Sequence, residues 1–178
     1  MEQRYDLSGS LLHWYDYNKR ILPWRENKDP YRIWISEIML QQTRVEAVKP
    51  YFDRFMEVLP TVYDLAKVDD DRLMKLWEGL GYYNRARNLK AAAQTIVEEY
   101  GGQLPADYDK LLSLKGIGMY TAGAIGSIAF ELQVPAVDGN VLRVLTRLWG
   151  DDSDILKDKT KKAMGRRVME FMPEDRPG

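Results

Sequence analysis

Residues 112–147, LSLKGIGMYTAGAIGSIAFELQVPAVDGNVLRVLTR, constrain the fold more than any other stretch of the chain. An apolar helical segment ends there, turns through Lys115-Gly116-Ile117-Gly118, and reopens as a second helix at Met119. Two glycines one residue apart allow a tight turn and a close backbone approach to another molecule. The second helix points its unpaired N-terminal amides outward, which suits a phosphate. On these residues alone, a structural corner between helices and a clamp for a DNA backbone both stay open. A clamp of this kind donates amides and needs no positive side chains. Further along, Val137-Asp138-Gly139-Asn140 places a lone carboxylate in a turn before another helix. By itself, Asp138 reads as an N-cap or turn residue.

The punctuation around this stretch is helical. Ser8 or Ser10 is expected to cap a first helix running through Leu11, Trp14 and Tyr15 and ending near Asn18. Ile21-Leu22-Pro23-Trp24-Arg25 reads as an extended linker, because a residue before proline avoids the helical region. Asp29-Pro30 is an N-cap followed by proline at the first helical position, and the helix behind it closes near Gln41-Gln42-Thr43. Val45, Val48, Phe52, Phe55, Met56 and Leu59 form an amphipathic helix ended by Pro60, with a kink or break expected at Pro50. Short helices are expected over 61–68 and 70–80, the second broken by Gly79 and Gly81. A long one follows over 82–100, with Ala86, Leu89, Ala93, Ile96 and Val97 inward and Gly101-Gly102 ending it. The remainder reads as helices over 107–113, 119–130, 140–149 and 159–172. No alternating strand pattern of useful length, repeat or low-complexity tract appears. The expectation is an all-α fold of about nine or ten short helices in a bundle.

Composition narrows the chemistry. The 178 residues include no cysteine and one histidine, which excludes disulfides, thiolate metal sites and iron–sulfur ligation within this chain and disfavours a Ser-His-Asp triad. His13, among Leu11, Leu12 and Trp14, reads as a packing or surface residue. No run is long enough to span a bilayer, and residues 1–7 lack the apolar core of a signal peptide, so a cytoplasmic location is the default expectation. The net charge of −1 and pI near 5.9 give no bulk signal for nucleic acid. Basic residues gather only locally, at Arg85, Arg87 and Lys90, at residues 157–162, and at Arg166-Arg167; such clusters are also what solvated helix faces look like.

Glu37 stands out. Its helical neighbours Ile33, Trp34 and Leu40 put it on an apolar face, where a carboxyl is desolvated and keeps its proton longer. Such a group can act as a general acid near neutral pH; a glutamate leaning from the stripe's edge into water is the alternative.

Taken together, these stretches resemble the helix-hairpin-helix DNA glycosylases, and within them the MutY family of adenine glycosylases. The matching pieces are Leu22-Pro23-Trp24-Arg25, Trp34-Ile35-Ser36-Glu37-Ile38-Met39-Leu40-Gln41-Gln42-Thr43, Pro50-Tyr51-Phe52, and Leu76-Trp77-Glu78-Gly79-Leu80-Gly81-Tyr82-Tyr83. The hairpin, Val137-Asp138-Gly139-Asn140-Val141 and Arg143-Val144 complete them. The resemblance implies a six-helix lobe over about 23–134 and a second lobe from 1–22 with 135–178, incomplete at its C-terminus. It implies excision of adenine mispaired with 8-oxoguanine or guanine in double-stranded DNA, after the base is flipped out of the stack. In that reading Glu37 protonates the adenine and assists the water, and Asp138 stabilises the sugar cation left behind. Gln42 and Tyr82 match wedges in the stack. Trp24, Arg25 and Leu40 match residues enclosing the adenine, and Tyr120 and Asn140 match residues around the sugar. Lys115, Gly116, Gly118, Met119, Tyr120 and Thr121 form the backbone clamp.

Tyr120 occupies the position where bifunctional relatives such as endonuclease III carry a Schiff-base lysine, so the resemblance implies a monofunctional hydrolase. Such proteins continue with another helix, a four-cysteine [4Fe-4S] loop and a recognition domain, whereas this sequence stops at Arg176-Pro177-Gly178. The chain is therefore expected to be a truncated catalytic core without cofactor or metal, weak in activity, and monomeric when complete. The alternatives are an endonuclease III-like pyrimidine glycosylase and a non-catalytic helix-hairpin-helix DNA-binding module.

Overall fold

The structure, a computed structural model, describes residues 6–178; most of the polar start at residues 1–7 lies outside the described residues. Among them the chain forms ten α-helices and one 3₁₀ turn. Helix α1 spans Leu7–Asn18, and the 3₁₀ turn is Pro23–Arg25. Helices α2 to α5 follow as Pro30–Leu40, Val45–Val58, Val62–Lys67 and Asp70–Trp77. Helix α6 is Asn84–Tyr100, α7 Tyr108–Ser113, α8 Met119–Phe130, α9 Gly139–Trp149 and α10 Asp158–Met169.

Helix α2 is the axis. Every residue from Tyr31 to Met39 except Arg32 is buried, as expected for a helix whose apolar residues run all round it. Asp29 starts it by accepting from the Tyr31 and Arg32 amides, with Pro30 at the first position. Helices α3, α6 and α8 pack around it, and the core between them holds Trp34, Phe52, Phe55, Trp77, Leu89, Ile96 and Ile125. Trp77 meets Phe55 edge to face, a geometry the ring quadrupoles favour.

Helix starts follow local chemistry. Thr61 and Asp64 make a reciprocal capping box on α4; Asp69 caps α5 and Asp107 caps α7. Four expectations are corrected. The cap of α1 is Asp6, which accepts from the Gly9 amide at 2.8 Å, rather than Ser8 or Ser10. Residues 23–25 are a 3₁₀ turn rather than extended chain; Leu22 alone is extended, as its position before proline requires. The break between α5 and α6 is wider than the sequence suggests, because Gly79, Gly81 and Tyr82 all take positive φ and cannot extend either helix. Pro50 neither breaks nor ends α3, which runs continuously through it. Val48, Phe52 and Phe55 are fully buried along one face, and that burial outweighs the helical bond lost at proline.

The outer helices are drier in sequence than in structure. Helix α1 buries no residue fully, α9 only Leu142, and α10 only Met164 and Gly165. Polar ties hold the chain's ends together: the Ser8 hydroxyl donates to the Phe171 carbonyl, and Arg176 donates to both Asp16 oxygens at 2.9 and 2.7 Å. Arg167 lies 3.9 Å over the Trp149 ring, which itself stacks on Phe171. His13 is exposed and edges against Tyr17. No described helix is long and apolar enough to cross a membrane.

Candidate active site

The hairpin has the form its glycines predict. Gly116 takes φ +83°, with the Asn88 side chain where a Cβ would sit, so only glycine closes this turn. Ile117 is buried and anchors the loop, its amide donating to the Leu114 carbonyl at 3.1 Å. Helix α8 then begins at Gly118 with no side-chain cap. Lys115, Gly116, Gly118 and Met119 are exposed, so the first amides of α8 face outward with the positive end of the helix dipole. The Thr121 side chain, in contrast, is buried; any contact it makes outside the fold goes through its backbone amide.

One turn into α8, Tyr120 meets α2. Helices α2 and α8 are packed neighbours, and the Tyr120 hydroxyl is close enough to the Glu37 carboxyl to lower its proton affinity. Glu37 is 8% exposed, as its apolar neighbours predicted. Burial pushes its carboxyl above the usual glutamate value; Tyr120 and Arg25 pull it back, and the Asp138 charge adds to the rise. The Tyr120 hydroxyl is itself driven upward, by burial first and then by the Glu37 and Asp138 charges. Four groups from four segments thus share one field: Arg25 at the end of the 3₁₀ turn, Glu37 on α2, Tyr120 on α8 and Asp138 before α9.

Asp138 is held in place at the start of α9. One oxygen accepts from the Val141 amide at 2.8 Å, and the other from the Asn140 side-chain nitrogen at 2.9 Å. It is therefore the N-cap that its sequence context suggests, and at the same time a carboxylate of fixed direction beside Glu37. Of the residues leading to it, Pro135 and Ala136 lie against α8 at Gly123. A Cβ on Gly123 would sit 2.2 Å from the Pro135 carbonyl oxygen. The sequence marked α8 as rich in small residues, but not which segment they admit.

A second group lies at the end of α2. Gln42 and Tyr82 are both exposed and both left-handed, with φ of 58° and 47°, a conformation that costs non-glycine residues energy and gathers at functional sites. They line one groove with Gln41, Tyr83, Arg87 and Asn88. Leu40 is half-buried behind them. Trp24 is in the core, edge-on to Phe52 at 5.3 Å, so it backs the site as a wall. Arg25 is exposed and donates to the Tyr15 hydroxyl at 2.8 Å.

The local basic clusters are largely spoken for. Arg85 turns inward and is 9% exposed, and Lys90 pairs with Asp70. Lys157, Lys161 and Arg167 pair with Asp154, Asp158 and Asp151. Charge runs in the sequence gave no sign that Arg85 is an internal residue. The chain holds no cysteine, so its donor set does not fit a thiolate-ligated cluster. No described group of acidic, histidine or cysteine side chains could hold a metal ion.

A family model described as "HhH-GPD superfamily base excision DNA repair protein" matches residues 35–171. The chain is 42% identical over 178 residues to the adenine DNA glycosylase of Rattus norvegicus, covering 95% of this chain and 34% of that protein. The Homo sapiens adenine DNA glycosylase is also 42% identical, over 96% of this chain and 33% of its own length. The enzyme of Buchnera aphidicola subsp. Acyrthosiphon pisum is 45% identical over 157 residues, 88% of this chain and 45% of that one. The chain thus spans about a third of the mammalian relatives it matches. Among solved structures, a thermostable thymine-DNA glycosylase superposes with TM-score 0.85 at 30% identity, over 94% of this chain and 77% of the other. A trapped endonuclease III–DNA covalent intermediate gives 0.77 at 25% identity, over 94% and 76%.

Proposed function

The chain belongs to the HhH-GPD superfamily of base excision DNA repair proteins, and from that premise we propose that it carries the catalytic residues of a monofunctional adenine DNA glycosylase. Its substrate is double-stranded DNA with adenine mispaired with 8-oxoguanine or guanine; the enzyme is a monomer when complete and acts in the cytoplasm of a bacterial-type cell, at the nucleoid. The observation that carries this reading is Glu37: a carboxyl buried beside Tyr120 and Asp138, with its proton affinity raised.

The steps follow from the two carboxyls. The hairpin amides and the open end of α8 hold a phosphate beside the lesion. Gln42 and Tyr82 occupy the gap in the stack while the adenine turns outward, at a cost of roughly a few kcal/mol. Glu37, protonated, gives its proton to the leaving base as the N-glycosidic bond breaks and the bonding pair leaves with the adenine. The charge left on the sugar is met by the Asp138 carboxylate, whose direction is fixed by Val141 and Asn140. Water then adds to the sugar carbon and returns a proton to Glu37. Tyr120 has no amine to form a Schiff base, and its hydroxyl is held protonated by burial and by two acidic neighbours, so the nucleophile is water.

Single-turnover assays at protein concentrations that saturate the duplex test this. Release of free adenine from A:8-oxoguanine and A:G duplexes, leaving an uncleaved abasic strand, is the expected result. Release of an oxidised pyrimidine, or an adduct trapped by borohydride, would assign a bifunctional pyrimidine glycosylase instead. Duplex binding with no base release would leave a DNA-binding module.

Gly123→Ala gives a finer test. The added methyl meets backbone at Pro135 and must push the segment bearing Asp138 off α8. Overpacking costs about 1–3 kcal/mol, but alanine is favoured over glycine within a helix by about 1 kcal/mol. The melting temperature should therefore fall by only a few degrees. Excision should slow by about a hundredfold, the order expected for a misplacement of about 1 Å. Parent-like excision from a folded variant would show that the contact does not set the position of Asp138.

A further inference from the structure

Arg85 is a buried cation that makes no ion pair among the described residues. Leaving such a charge unpaired costs several kcal/mol, so its surroundings must supply the compensation, and most of its hydrogen-bond partners are backbone carbonyls. Its Nη1 donates to the carbonyls of Ile38, Met39 and Gln41 at 2.8, 3.0 and 2.7 Å. Its Nη2 donates to the Leu80 and Gly81 carbonyls at 3.1 and 3.3 Å and reaches the Thr43 hydroxyl at 3.5 Å. The first three carbonyls lie at the C-terminal end of α2, where the helix dipole is negative and a cation belongs. The guanidinium is also sandwiched, 5.4 Å from the Trp77 ring centre and 5.6 Å from that of Tyr82.

Two loops far apart in sequence converge on this one side chain. One bears Gln42 and the other Tyr82, and each of those residues is held left-handed. A loop left to itself would relax that strain; here the carbonyls on either side are fixed by a planar fork with several fixed donors. Lysine could not replace it, since a single ammonium carries three hydrogens and cannot span carbonyls on both loops.

We propose that Arg85 is a positioning residue that locks the Gln42 and Tyr82 loops into one rigid wedge, so that the two enter a duplex as a unit. The DNA clause of this rests on the enzyme reading above; the coupling of the loops does not. Because the same fork caps α2, the wedge is also tied to the helix that carries Glu37.

Native-state amide exchange on the parent protein tests the coupling without any variant. The Thr43 amide, bonded to Leu40, and the Leu80 amide, bonded to Trp77, should open with equal free energy and equal denaturant dependence. Independent opening of the two would overturn the proposal. In Arg85→Lys both should exchange about tenfold faster or more, while residues 89–96 of α6 keep their protection. A change at one loop only, or at neither, would also overturn it.

The DNA arm uses 2-aminopurine in place of the target adenine, which brightens when it leaves the stack. Arg85→Lys should bind undamaged duplex as the parent does, yet lose the brightening by about tenfold or more. Binding and brightening lost together would mark a general folding role and count against the proposal. If the parent never brightens the probe, the enzyme reading fails, and the exchange measurement decides the coupling alone.

Discussion

Asp138→Asn should lose base excision by about a hundredfold to a thousandfold or more, with folding and duplex binding intact. The prediction is sharp because Asp138 has two jobs that this substitution separates. As the N-cap of α9 it accepts from the Val141 amide, and asparagine caps a helix about as well as aspartate. The melting temperature should therefore hardly move. On the proposed mechanism, as the carboxylate beside Glu37 it supplies the negative charge a sugar cation requires, and a neutral amide cannot. Removing a negative charge near the phosphates should leave binding equal or tighter. Asp138→Ala is a poorer probe, since losing the cap alone costs about 1 kcal/mol and clouds the comparison. Single-turnover excision near the parent rate in Asp138→Asn would reduce this residue to a cap.

What the sequence showed and what it hid divide along a physical line. Features set within one helical turn were legible. Asp29-Pro30 starts α2 as read, and Glu37 is buried because its neighbours at one turn are Ile33, Trp34 and Leu40. Features that need a partner from elsewhere in the chain were not. Arg85 looked like one of three surface cations, yet its partners are the carbonyls of residues some forty positions earlier. Its spacing of four from Leu89, on the inner face of α6, was the available signal. Gly123 is similar: small residues along α8 foretold close packing, but only the fold identifies the Pro135 carbonyl as what approaches. The left-handed backbones of Gln42 and Tyr82 went unseen as well, because neither residue type announces a positive φ.

Glu37→Gln should lower excision by about a hundredfold to ten-thousandfold, and the same substitution should make the protein more stable at neutral pH. Both effects come from one carboxyl. Burial raises its proton affinity in the folded chain, against the smaller opposing pulls of Tyr120 and Arg25. Between the unfolded and folded values, the folded state therefore holds a proton that the unfolded state has released. Stability then falls as pH rises through the folded value, and the loss is absent below the unfolded, ordinary glutamate value. Glutamine has no charge to desolvate, so Glu37→Gln should melt above the parent at neutral pH and converge with it in acid. The parent's excision rate should fall along the same limb as pH rises, because on the proposed mechanism the proton that steadies the fold is the one given to the leaving base. Melting curves and single-turnover rates across the mildly acidic to neutral range check both. If the variant melts no higher than the parent at neutral pH, Glu37 is not held in a desolvated site. If it does melt higher but excises at the parent rate, the buried proton exists and the chemistry does not use it.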